Sequence, residues 1–158
     1  MKKILIIIIM LIVNGCLNTD TISDTNPNTT ISESSDSSED LLASYEITTD
    51  SVFKSYFENE TSNTQVLASG IVKIILADDL DGDAHQKFIL ELQSGQTLLV
   101  AHNIDLAPRV ADISVGAAIY VYGEYIWNSE GGLIHWTHKD PDGEHEDGWI
   151  VFDGVKYW

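Results

Sequence analysis

The sequence predicts a mostly β domain: a small five-stranded barrel, entered by a short helix and finished by a hairpin. Three observations predict it. From Gln65 onward, runs rich in Val, Ile and aromatic residues alternate with Gly, Asp and Ser turns at strand-like intervals. These runs fall into three strands, a connection and two more strands. Before them, one short segment carries a helical period.

That segment is residues 50–59. Thr49-Asp50-Ser51 offers capping side chains, and Val52, Phe53, Tyr56 and Phe57 line one face. Asn59 and Asn63 fall in the exit loop. The first strand spans residues 66–77 and contains Gly70. The acidic stretch 78–83 turns the chain. Residues 86–92 alternate, with Phe88, Leu90 and Leu92 on one face. Ser94-Gly95 makes a tight turn, and residues 97–101 return. Residues 103–114 hold Pro108 and form a connection too broken for a long helix. Residues 117–127 make a strong strand with Tyr120, Tyr122, Tyr125 and Trp127. Ser129 to Gly132 turns it, and residues 133–137 pair back. Residues 148–158 end the chain as a hairpin around Asp153-Gly154. A meander, a connection and a closing hairpin are the order of an OB-like barrel, which has few exposed edges. A two-sheet sandwich is the alternative.

Ahead of the barrel domain, residues 46–158, lie two segments of different character. Lys2 and Lys3 precede an unbroken apolar run from Ile4 to Val13, then Asn14-Gly15-Cys16. That run is too short for a spanning helix, which needs roughly 20 residues. A basic start, a short apolar core and a small residue at the cut make a secretory signal over residues 1–15. Val13-Asn14-Gly15-Cys16 resembles a lipobox, so Cys16 is expected to become a lipidated N-terminus. The mature chain is then anchored, outside the cytoplasm, to a bacterial outer membrane or cell surface. Leu17 stands where an inner-membrane retention signal places Asp. Residues 16–45 are rich in Ser, Thr, Asn and Asp, too polar to offset their own ordering entropy. They read as a tether, with a reach of about 25–30 Å.

Charge and cysteine content exclude several function classes. The formal net charge is −17, which repels nucleic-acid phosphates. Cys16 is the one cysteine, so there is no disulfide framework, thiolate zinc site or cysteine nucleophile. No Gly-x-Ser-x-Gly elbow or phosphate-binding glycine loop occurs.

Chemistry is concentrated in five histidines: His85, His102, His135, His138 and His145. His85 opens the second strand, and His102-Asn103 closes the third. The others fall in one phrase, His135 to His145, which also holds Trp136 and Asp140. Imidazole and carboxylate together suit borderline divalent metals, zinc first among them. His85, His102, His135, His138, Asp140 and His145 are the ligand set so predicted, and Trp136, Asn103 and Tyr125 are the side chains expected to hold a further ligand. Residues three apart on a strand point to opposite faces, so His135 and His138 converge only if the strand ends near Trp136. The helical His-Glu-x-x-His spacing is absent. Asp78 to Asp83 lacks the spacing of an EF-hand loop and reads first as an acidic surface turn.

Several phrases resemble one bacterial family. They are Gly70-Ile71-Val72, Asp78-Asp79, His85 to Leu90 and Ser94 to Arg109, followed by Tyr122-Gly123-Glu124-Tyr125, Gly131 to His138, Asp140-Pro141 and Gly148-Trp149-Ile150. Together they resemble the DUF3465 family of uncharacterised bacterial proteins, over about residues 50–158. The histidines fall on motifs of that family, and the resemblance implies no particular activity. The residues themselves lead to a lipid-anchored extracytoplasmic binding module with a His-rich site. The alternatives are a metal-dependent, nuclease-like hydrolase using the same histidines, and a structural envelope lipoprotein whose histidines only brace loops.

Overall fold

A computed structural model of the chain describes residues 38–158. The signal segment, Cys16 and most of the tether lie outside the described residues. Helix α1, Ser38–Ala43, falls on residues that composition assigned to the tether. Helix α2 is Asp50–Glu58, as the apolar spacing predicts. Thr49 has the extended backbone of an N-cap, but its hydroxyl meets Ser51 Oγ at 2.9 Å rather than capping the helix. Asp50 instead accepts the Ser94 N–H, tying the helix start to a barrel turn.

Seven strands follow: β1 (Thr64–Ile75), β2 (His85–Glu91), β3 (Thr97–Asn103), β4 (Ala118–Ile126), β5 (Leu133–His135), β6 (Trp149–Phe152) and β7 (Val155–Tyr157). The first five close in the order β1-β2-β3-β5-β4 and back to β1. Strand β1 makes closure work because it is long enough to serve two neighbours. Its first part, Thr64 to Ile71, pairs with β4, and Ile71 to Ile75 pairs with β2. The register slips between Val72 and Ile74, a bulge that bends the strand from one partner to the other. Gly70 sits at this bend. A Cβ there would lie 2.5 Å from the Glu91 carbonyl oxygen. Strands β3 and β5 are parallel, whereas every other pairing is antiparallel. One closed sheet replaces the two faces of a sandwich. The OB-like order is the fold, with β6 bonded to β4 outside it and β7 bonded in turn to β6.

The core follows the strand alternation. Phe88, Leu90, Leu98, Val100, Ile119, Val121 and Ile134 point inward and are fully buried. Helix α2 stops one end of the barrel by inserting Phe53, whose ring stands 6.0 Å from Tyr125 and 6.5 Å from Tyr56. Burying a side chain of this size contributes about 1.5–3 kcal/mol. A second cluster lies on the outer face, where Tyr45 covers Trp149 and Tyr122 with ring centroids 5.2 and 4.7 Å away. The final hairpin turns at Asp153-Gly154, both at positive φ, as two-residue hairpin turns require.

Candidate functional site

Strand β5 ends at His135 because the next residue cannot continue it. Trp136 has φ +49°, the left-handed region that bulky residues avoid. The turn is held by close backbone packing at two glycines. A Cβ on Gly123 would lie 2.3 Å from the His135 carbonyl oxygen, and one on Gly148 would lie 2.0 Å from that of Trp136. Only a bare backbone fits at either place. The Gly148 N–H donates to the His138 carbonyl at 2.8 Å, fixing the far side of the loop.

The turn lays three rings in a stack. His135 and Trp136 are 4.5 Å apart at 17°, and Trp136 and His145 are 4.5 Å apart at 6°. His138 meets His145 edge-on at 5.1 Å. These rings line a cleft of about 240 Å³ at the end of β2, β3 and β5. Asn103, Asp140 and His85 line it as well, so seven of the side chains singled out from the sequence converge on one place. The loop around Pro141 and Gly143 completes the wall. Asp142 and Glu144 add carboxylates that the sequence had not marked, and Asp83 adds one from the acidic turn.

Hydrogen bonds set the state of the histidines. His85 Nδ1 is 2.7 Å from the Asp83 carbonyl, His138 Nδ1 is 2.6 Å from that of Lys139, and His145 Nδ1 is 2.8 Å from that of Glu146. A carbonyl only accepts, so in all three rings the proton sits on Nδ1. In the neutral ring, Nε2 then carries the lone pair, and none of the three Nε2 atoms has a hydrogen-bond partner among the described residues. His135 differs. Its Nε2 approaches Glu124 at 3.4 Å. Burial pushes its pKa down, against the pull of the Glu124 carboxylate upward, and His145 and His138 push it down further.

Two predicted site residues belong elsewhere. His102 is fully buried. It follows Leu98 and Val100 on the inward face of β3, and that parity is the sequence signal for its burial. Its Nε2–H donates to the Pro108 carbonyl at 3.0 Å, and its Nδ1 accepts from the Thr137 hydroxyl at 2.8 Å. Both nitrogens are used, and burial holds the ring below the usual histidine pKa. His102 therefore braces the connection after β3 and has no lone pair to offer a metal. Tyr125 is the other. It shares the inward parity of Ile119 and Val121, is fully buried under α2, and its hydroxyl donates to the Gly131 carbonyl at 3.3 Å. It packs the core and does not line the cleft.

Asp140 and Asn103 line the cleft, but each spends acceptors on its own loop. Asp140 takes N–H groups from His145 (2.5 Å) and Asp142 (2.9 Å), which hold its carboxyl below the usual range. Asn103 Oδ1 takes those of Asp105 and Leu106. As placed, no three His, Cys, Asp or Glu side chains among the described residues surround a point where one ion would sit. Two of the four carboxylates of the acidic turn are paired with cations: Asp78 with Arg109 at 2.5 and 3.1 Å, and Asp79 with Lys87 at 3.1 Å. The turn lies at the surface, and its last residue, Asp83, reaches the cleft. A larger groove of about 460 Å³ lies on the barrel wall among Ile74, Leu76, Ile89 and Leu99, but the imidazoles are not there.

No helix among the described residues is long and apolar enough to cross a membrane. A family model, described as DUF3465, a protein of unknown function, matches residues 39–158. No curated protein matches the chain.

Proposed function

The chain belongs to the DUF3465 family, and we propose that it is an extracytoplasmic binding module, lipid-anchored through Cys16, whose site is the histidine cleft. One observation carries this: the cleft presents electron pairs and few protons. Three of its four histidines, His85, His138 and His145, offer bare Nε2 atoms, and Asp83, Asp142 and Glu144 add carboxylate oxygens. Such a lining selects a small cation. The net charge of −17 favours the same class of ligand by drawing cations toward the surface. The pocket's small size excludes a large organic ligand, since drug-sized molecules need about 300 Å³ or more. The lipobox-like sequence Val13 to Cys16 supports attachment at a bacterial outer membrane or cell surface.

The binding test is an NMR titration of the isotope-labelled full chain with Mg²⁺, Zn²⁺ and spermidine. Shifts confined to His85, Asn103 to Leu106 and the loop 135–146 are expected for at least one of them. Shifts only along Ile74 and Leu99, or none with any cation, would refute the site. Lipidation is tested by labelling expressing cells with an alkyne palmitate. The label should enter the wild-type protein and be lost in Cys16→Ser; equal labelling of both would refute the anchor.

A further inference from the structure

We infer that the cation is a borderline transition-metal ion of the zinc class, held by Nε2 of His85, His138 and His145; this rests on the cleft being the binding site. The argument begins with the tautomers. A ligating histidine almost always gives its other ring N–H to a carbonyl or carboxylate, which fixes the ring and leaves the second nitrogen to the metal. His85, His138 and His145 each do this with a backbone carbonyl, at 2.6–2.8 Å. Three identical arrangements line one pocket. His102, the histidine buried beside them, has the opposite tautomer and no spare lone pair. The pattern sorts the histidines into ligands and braces without reference to sequence spacing.

Ring separation agrees. Imidazoles on one tetrahedral zinc, with Zn–N of about 2.0–2.1 Å, have ring centroids about 5 Å apart. His138 and His145 stand 5.1 Å apart with planes at 87°. The centroid spacing of these two rings is that of a bound pair, and the third ligand, His85, lines the same pocket from the start of β2. As placed, the three do not meet at one point, so binding requires their side chains to close on the ion. Imidazole nitrogen favours zinc, nickel or copper over magnesium and calcium, which seek oxygen. Three protein ligands leave a fourth position, which Asp83, Glu144 or a water can fill.

The experiment uses the full chain, purified without chelator or histidine tag. Zn²⁺ is titrated calorimetrically, and Co²⁺ is added as a visible probe. One ion per chain is expected, with the strong visible bands of tetrahedral Co²⁺. His145→Ala and His85→Ala should each weaken Zn²⁺ binding by about 100-fold or more, whereas Glu130→Gln, in the groove on the barrel wall, should change it less than about 5-fold. Circular dichroism establishes that each variant is folded, and His145→Gln replaces any that is not. No saturable Zn²⁺ binding at 100 µM (about 5.5 kcal/mol), or equal binding in His145→Ala and wild type, overturns the metal. Should spermidine or Mg²⁺ still shift the cleft resonances in that case, the binding site stands and only the zinc-class ion fails. Silence from every cation overturns both.

Discussion

Phe53→Ala tests whether helix α2 is part of the barrel or merely leans on it. Phe53 is fully buried, and no other residue of α2 is. Its ring meets Tyr125 at 6.0 Å and Tyr56 at 6.5 Å, both edge-on. Truncating a buried Phe costs about 3–5 kcal/mol, which includes the cavity left behind. The lost edge-on pairs fall within that sum. Since domains are stable by only about 5–15 kcal/mol, the variant should lose about a fifth or more of its stability. At about 4 °C per kcal/mol, its melting temperature should drop by about 12–20 °C. Urea unfolding followed by tryptophan fluorescence measures the change. Val52→Ala, on the exposed side of the same helix, is the control and should shift stability by less than about 1 kcal/mol. A loss under about 1 kcal/mol for Phe53→Ala would mean the barrel holds without its stopper.

Two further predictions concern the loop and the buried histidine. Gly148→Ala puts a Cβ 2.0 Å from the Trp136 carbonyl oxygen and 2.7 Å from that of Tyr122. It should cost about 3 kcal/mol and abolish the near-ultraviolet dichroism of the His135–Trp136–His145 stack; an unchanged spectrum would contradict the close packing. His102 and His135 both have folded pKa values below the unfolded value of about 6.5. The unfolded chain then takes up protons first as pH falls. Stability should be full above about pH 6.5 and decline below it, by up to about 1.4 kcal/mol per pH unit for each ring. Asp79 and Asp140, with depressed carboxyl pKa values, act only in the acid range below this window. Urea midpoints between pH 7.5 and 5 check this, and His102→Gln should flatten the slope. Stability that rises toward pH 5 would reverse the sign and refute it.

The strands were legible because their apolar residues alternate and their turns carry Gly, Asp and Ser. Asp153-Gly154 and Ser94-Gly95 turn where their chemistry predicts. The end of β5 is less visible, since Thr137 favours strand and only a positive φ at Trp136, held by distant glycines, stops it. The histidine phrase announced the cleft, and the structure gathers His135, His138 and His145 there with His85 from another strand. The two residues that lie buried away from the cleft, His102 and Tyr125, were marked by chemical type, and their parity with Val100 and Val121 already pointed inward. No local pattern could mark Asp83 as a neighbour of Glu144, because the barrel's closure brings them together.

That closure also governs how the chain can fold. The β1–β4 ladder joins Thr64 to Tyr125, and the parallel β3–β5 contact joins Leu99 to Leu133. Neither can form until the chain has been delivered as far as β4 or β5. Local hairpins form in about 1–10 µs, but a topology dominated by such distant pairings folds in milliseconds to seconds. Until then the β1-β2-β3 meander waits with its outer edges unpaired. A chain that emerges N-terminus first must survive that interval as an open sheet, and its fourth and fifth strands arrive as the step that ends it.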